Sequence, residues 1–157
     1  MPVLFALLLF SSTFANGAAL PQAMVATACG GQNVSPQLSW SKAPPRTRSF
    51  ALIARDETAS APGGFYHWAA YNIPPSRLTV SKGASFGAAH ETRNDRGTLG
   101  YFGPCPPPGK PHRYRFTIYA LDVRTIGTGA PLTARELAEL IHGHVLAEAS
   151  LVGLWPR

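Results

Sequence analysis

The segment of residues 101–122 constrains the fold most strongly, because a stiff loop passes directly into a strand. Four prolines within residues 104–108 fix the backbone φ angle and supply no amide donors. From His112 onward, the even-numbered residues share one apolar face, and they are Tyr114, Phe116, Ile118 and Ala120. This alternation predicts a half-buried strand whose first residue, His112, lies at the rim of a core.

The composition supports a β-rich domain. Fifteen glycines and fifteen prolines among 157 residues, of which 14% are charged, are typical of a loop-rich β protein and argue against a helix bundle. We therefore expect a mainly β fold: one antiparallel Greek-key β sandwich with a C-terminal helix. The net charge of +6 is moderately basic, but no Lys/Arg block or nucleic-acid motif accompanies it, so we expect no nucleic-acid partner.

A second strand is predicted over residues 49–56, where both alternating faces are nearly apolar, as in a central strand. Asp56 ends it on the face of Phe50 and Leu52, which places an acid at the edge of an apolar surface. The next strand begins at His67, after a glycine-containing loop. If the two strands form an antiparallel hairpin, Asp56 and His67 lie close together.

The C-terminal helix is predicted over residues 133–148. Thr133 and Glu136 have the spacing of a capping box. A buried stripe then follows the helical period, and its members are Leu137, Leu140, Ile141, His144 and Val145. We expect residues 151–155 to form a closing strand, and His142 and His144 to have structural roles only.

Several motifs together identify a family. The central segment contains Gly-Pro-Cys-Pro-Pro-Pro-Gly at 103–109, His-Arg-Tyr-Arg-Phe at 112–116 and Tyr-Ala-Leu-Asp at 119–122. The other motifs are found at residues 30–40, 49–53, 67–68, 72–74, 94–95 and 143–144. From about Phe10 to its end, the chain resembles the phosphatidylethanolamine-binding protein family, in its bacterial Raf-kinase-inhibitor-like branch. The resemblance implies the same sandwich fold.

The resemblance also implies a ligand pocket, which Asp56, His67 and His112 would line. Tyr114 follows on the face of His112, and the backbone N–H near Gly103 is a further candidate donor. Imidazole and phenol groups can donate hydrogen bonds to phosphate or carboxylate oxygens. The expected ligand is the phosphate of a phospholipid head group or a similar small anion, and we expect neither a metal nor another cofactor.

One loop departs from the family pattern. Where relatives usually have Asp-Pro-Asp-Ala-Pro, residues 56–60 are Asp-Glu-Thr-Ala-Ser, so the second acid and both prolines are lost. Thr58 can form hydrogen bonds but carries no charge. We expect this loop to be less rigid than in relatives, with an altered ligand preference.

Three functional classes remain open from the sequence. The favoured one is a binding protein, and the resemblance implies regulation or inhibition of a protein partner that no residue identifies. An enzyme would use Asp56, His67 and His112 as metal ligands or as acid and base in phosphoester hydrolysis, but no nucleophile or phosphate-loop motif accompanies them, so we expect no enzyme. The third class is a structural domain with a vestigial pocket.

The N-terminus and the two cysteines bear on the cellular compartment. Residues 1–19 form either a signal peptide or the first edge strand, ahead of a single domain over residues 20–157. The apolar run at 3–10 is too short to cross a bilayer, and we expect no transmembrane span. The resemblance implies a disulfide between Cys29 and Cys105, as in exported members, although a reduced pair remains possible. Export to the periplasm or beyond is favoured over a cytoplasmic location.

Overall fold

The computed structural model describes residues 6–127, 129 and 131–156. Two antiparallel sheets are present. The small sheet has the order β1 (Leu8–Phe10), β2 (Leu38–Ser41), β5 (Thr79–Val80). The large sheet has the order β4 (Phe65–Ile73), β3 (Ser49–Asp56), β6 (His112–Leu121), β7 (Val145–Trp155). The predicted fold class, mainly β with antiparallel sheets and one helix near the C-terminus, is confirmed.

The main core lies between the two sheets. Leu9 and Trp40 of the small sheet are buried against residues of the large sheet that include Phe50 and Ile118. The rings of Trp40 and Phe50 meet edge to face with their centroids 5.8 Å apart. Each such side chain contributes roughly 1.5 to 3 kcal/mol on burial, so this layer supplies most of the apolar stabilisation.

Helix α1 (Ala134–Leu140) covers part of the outer face of the large sheet. The predicted capping box is present: the Thr133 hydroxyl oxygen accepts from the Glu136 amide, and the Glu136 carboxylate accepts from the Thr133 amide. Leu137 and Ile141 pack against Ile53 in a second buried cluster.

The predicted end of the helix was wrong. Helix α1 ends at Leu140, and β7 already begins at Val145. Gly143 adopts a φ of 90°, which L residues with side chains avoid, and turns the chain back. Residues 145–155 then pair along the whole of β6, and this long ladder outweighs the helical spacing of the stripe. His144 lies beyond the helix, where its Nδ1 is 3.0 Å from Asp122 Oδ1.

The large sheet brings the candidate residues to one edge. Strand β3 is central and pairs with β4 on one side and with β6 on the other. Its last residue, Asp56, lies opposite Phe65 of β4 and Tyr114 of β6. The start of β4, the end of β3 and the start of β6 therefore meet. The hairpin argument predicted the first of these two approaches, that of β3 and β4.

The first strand belongs to the sandwich. β1 pairs with β2 as an edge strand, and Leu9 and Phe14 are buried. Residues 1–5, the first part of the apolar run considered as a signal peptide, lie outside the described residues. None of the helices in the described part of the chain has the length and apolar character needed to span a bilayer.

The predicted disulfide is present between Cys29 and Cys105, whose Cα atoms are 5.6 Å apart. It joins the last residue of the short 3-10 helix Thr27–Cys29 to the proline-rich loop before β6. With a sequence separation of 76 residues, the bond stabilises the fold by about 4 kcal/mol on the chain-entropy model.

Candidate functional site

A cavity of about 540 Å³ opens at the edge where β3, β4 and β6 meet. It is walled by the loop after β3, by the turn around Asp95 and by the proline-rich loop. Its lining residues are Asp56, Thr58, Ala59, Ser60, Phe65, His67, Asp95, Arg96, Phe102, Cys105, Pro106, Pro107, His112 and Tyr114. Four of the five sequence-predicted ligand residues are therefore brought together here, and Gly103 is not among the lining residues.

Asp56 and His112 form a buried pair, with Asp56 Oδ2 2.6 Å from His112 Nδ1. The other carboxylate oxygen of Asp56 accepts hydrogen bonds from the amides of Thr58 and Ala59, which fold the loop back over the strand end. Because a carboxylate accepts, His112 donates from Nδ1. Its Nε2 has no hydrogen-bond partner among the residues described, and it is the ring nitrogen left for a ligand.

His67 is fixed in the same sense by a backbone carbonyl. Its Nδ1 lies 2.6 Å from the Phe102 oxygen, which can only accept, so Nδ1 carries the proton. The ring stacks parallel to that of Phe102 at 5.8 Å and meets Tyr114 edge on at 5.3 Å. Burial lowers the pKa of His67, an effect that the Phe102 carbonyl and the charges of Asp56 and Asp95 oppose only in part.

These two contacts correct one expectation from the sequence. Both rings use their Nδ1 proton in a hydrogen bond within the protein, so a neutral ring has only its Nε2 lone pair available to a ligand. A neutral His67 or His112 is then an acceptor in the cavity, and it donates to an anion only when protonated.

Tyr114 supplies a donor that does not depend on protonation of a histidine. The residue is 3% exposed, and its hydroxyl has no hydrogen-bond partner within the described part of the chain. Burial raises the pKa of Tyr114, and the nearby Asp56 carboxylate raises it further. The phenol therefore keeps its proton, and its hydroxyl can donate into the cavity.

The predicted role of Gly103 needs correction. Its amide donates to Asn33 Oδ1 at 2.7 Å and is not free for a ligand. A Cβ at this position would overlap the carbonyl oxygen of Met24, so glycine is required by close backbone packing. Gly103 thus anchors the proline-rich loop to the segment that follows the second 3-10 helix (Thr27–Cys29).

Sequence reasoning missed Arg96, an exposed residue of the cavity lining. Its guanidinium lies 5.5 Å from the centroid of the Phe102 ring, a cation–π arrangement. The neighbouring Asp95 is already paired with Arg135, at 2.7 Å from Nη2. The only available signal was the length of the connection before residue 100, since long loops are often functional.

The altered loop keeps polar groups in the cavity wall. Thr58, at the position of the lost acid, lines the cavity, and its hydroxyl oxygen accepts from the Arg113 amide. No group of three or more His, Cys, Asp or Glu side chains among the described residues is arranged to hold a metal ion.

Comparison with known proteins gives a consistent picture. The family model described as Phosphatidylethanolamine-binding protein matches residues 10–156. A relative from Methanothermobacter thermautotrophicus is 42% identical over 135 residues, which cover 82% of this chain and 87% of that protein. A Mycobacterium tuberculosis relative, named lipoprotein LppC, is 39% identical over 91% of this chain and 69% of its own length. The crystal structure of the Chlamydia trachomatis homologue CT736 superposes with a TM-score of 0.85 at 34% identity, covering 98% and 99% of the two chains.

Proposed function

The chain belongs to the phosphatidylethanolamine-binding protein family, and on that basis we propose that it binds a small phosphate-bearing molecule or head group in the cavity at the edge of the large sheet. The residues proposed to contact the ligand are His67, His112, Tyr114 and Arg96, and Asp56 holds the His112 ring in place.

The observation that carries the proposal is the hydroxyl of Tyr114 in the cavity wall, which has no hydrogen-bond partner among the described residues. Leaving a buried donor without a partner costs about 1 to 3 kcal/mol. An oxyanion placed beside Tyr114 would accept this hydrogen bond and recover the cost. The Arg96 guanidinium at the rim adds a fixed positive charge that favours the same class of ligand.

The neutral form of His67 narrows the class of ligand. A phosphate that keeps one proton can accept from Tyr114 and donate its own P–OH to the Nε2 of His67. A fully ionised phosphate has no such proton and faces the nitrogen lone pair instead. Because the second pKa of phosphomonoesters is near 6, we expect affinity to fall as pH rises through this range.

We propose a binding role and not a catalytic one. An aspartate–histidine pair such as Asp56–His112 can orient a general base, but a nucleophile within its reach is also required. The hydroxyl of Thr58 is engaged with the Arg113 amide, and Ser60 has no hydrogen bond to His112 among the contacts described. Regulation of a protein partner is a further proposal, supported by the resemblance alone.

Export is proposed as well. The M. tuberculosis relative carries a lipoprotein name, and a disulfide such as Cys29–Cys105 persists mainly in oxidising compartments. Cleavage of an N-terminal signal would have to spare β1 or remove an edge strand of the small sheet.

Calorimetric titration with inorganic phosphate, phosphoethanolamine and ethanolamine tests the binding proposal. Tyr114→Phe and His112→Ala should each cost about 1.5 to 3 kcal/mol of phosphate affinity, the range for a hydrogen bond to a charged group. Tyr71→Phe and His144→Ala, which change the same residue types outside the cavity lining, should leave affinity unchanged. Equal affinity in all five proteins would exclude this cavity, and binding of ethanolamine alone would point to a cationic ligand.

A further inference from the structure

We propose a second anion-binding site on the outer face of the large sheet, on the side of β3 and β6 opposite to the cavity. A cleft of about 260 Å³ lies there beside helix α1. Its lining residues are Ile53, Arg55, Tyr66, Arg115, Thr117, Tyr119, Ala138, Glu148 and Ser150. The ligand class is a tetrahedral oxyanion such as phosphate.

Strand alternation concentrates positive charge in this cleft. Arg55 of β3 lies directly opposite Arg115 of β6 in the sheet register. Two like charges in a directly opposed pair destabilise a sheet unless a counter-charge is supplied. Both arginines line the cleft, where Glu148 is the one acid among the lining residues, so the lining carries an excess of one positive charge.

The nearest counter-ion, Glu57, neutralises this pair incompletely. It accepts from Arg115 Nε at 2.9 Å and also from Arg113 Nε at 3.1 Å. These arginines lower the pKa of Glu57, Arg115 most strongly, so the single carboxylate stays ionised and is shared between them. Glu57 itself does not line the cleft.

Arg55 is left with free donors. Its closest carboxylate oxygen is Glu57 Oε2 at 4.0 Å, beyond hydrogen-bond distance, and it donates no side-chain hydrogen bond to the part of the chain described. Arg115 commits Nε and Nη2 to Glu57 and keeps Nη1. Each guanidinium has five N–H groups in a planar fork, and this geometry matches phosphate oxygens.

Hydroxyl groups complete the lining. Tyr119 keeps its proton, because burial and then the Glu148 charge raise the pKa of its phenol, and it can donate to an oxyanion. Thr117 and Ser150 bond to each other at 2.8 Å at the floor of the cleft. Arginine donors and a phenol converging in one concave site suit an oxyanion better than an apolar or cationic molecule.

Substitution of Glu148 should change phosphate affinity in the opposite direction to substitution of Arg55. A carboxylate in the lining repels an anion, so Glu148→Gln should tighten phosphate binding by about two-fold, whereas Arg55→Gln should weaken it by about five-fold, as expected for partly exposed charges. Arg48→Gln is the matched control, because it removes the same charge from an exposed residue that lines neither the cleft nor the cavity.

The experiment is an NMR titration with inorganic phosphate that follows the side-chain Nε–H signals of Arg55 and Arg115. Saturable shifts of both signals, retained in Tyr114→Phe and His112→Ala, would support the outer site even if the cavity binds nothing. A parallel titration with phosphoethanolamine distinguishes free phosphate from a phosphomonoester as the preferred source. The proposal is overturned if the arginine signals do not move, or if Arg55→Gln and Arg48→Gln weaken binding equally.

Discussion

Strands β3 and β6 carry ionic groups on both faces of the large sheet, and the two faces differ in how these groups are buried and paired. On the cavity side, Asp56 and His112 form one pair at 2.6 Å, with side chains that are 5% and 13% exposed. On the outer side, Glu57 serves Arg113 and Arg115, whose side chains are 53% and 36% exposed. Neighbouring residues of β6 therefore lie in different environments: His112 is nearly shielded from water, whereas Arg113 is solvated.

This difference indicates which charged groups are needed for folding and which can be changed with little loss of stability. A buried carboxylate is costly without a partner, so Asp56 needs His112 and the loop amides. The outer pairs are screened by water and salt and contribute little each. We therefore expect changes on the cavity side to affect folding, and changes on the outer side to affect mainly electrostatics.

The largest expected effect comes from removing the buried acid. Asp56→Ala leaves His112 and the amides of Thr58 and Ala59 without their acceptor, and it should lower the free energy of unfolding by about 3 kcal/mol. Denaturant unfolding at neutral pH measures it. The matched control is Asp122→Ala, which breaks an aspartate–histidine pair whose side chains are 36% and 41% exposed. Similar losses of unfolding free energy in both variants would contradict the expected difference between the buried and the exposed pair.

The next effect is a pH dependence that should belong to the cavity side. Since burial lowers the pKa of His67, the folded state takes up this proton less readily than the unfolded chain does. The contribution is fully present above the unfolded value of about 6.5 and is lost as pH falls toward the folded pKa. His67→Gln should therefore flatten part of the acid destabilisation seen in unfolding curves. An unchanged pH profile in this variant, with His144→Gln as control, would contradict the prediction.

The smallest effect is expected on the outer face. Glu57→Gln should cost about 0.5 to 1 kcal/mol, because its arginine partners are partly exposed. The loss should shrink at 1 M salt, where the Debye length is about 3 Å. Unfolding at low and high salt measures both. A loss of unfolding free energy that is larger than that of Asp56→Ala, or independent of salt, would contradict the expected difference between the two faces.

The sequence predicted local alternation well and long-range placement poorly. The bounds of β3 and the position of His112 follow from apolar periodicity, and the capping box of α1 follows from residue spacing. The end of that helix does not, because pairing with β6 decides the structure of residues 145–155. A local pattern cannot report a partner strand that begins more than 20 residues earlier in the chain.

The candidate site shows the same division. Parity and hairpin geometry predicted that Asp56 and His67 would approach each other. The role of Gly103 and the protonated nitrogens of the histidines depend on atoms from distant segments, namely Asn33 Oδ1 and the Phe102 carbonyl. Arg96 enters the cavity through a turn whose position no periodicity specifies.

The contact between His67 and Phe102 has a consequence for how such a site can diverge. The Phe102 amide donates to the His67 carbonyl at 2.9 Å, and the Phe102 carbonyl accepts from the His67 ring. Both contacts use the main chain of residue 102, whereas its side chain forms part of the cavity wall. Substitutions at this position can therefore reshape the wall while the histidine keeps its tautomer. Evolution can change which molecule fits the cavity while the hydrogen-bond donors and acceptors that contact this molecule stay the same.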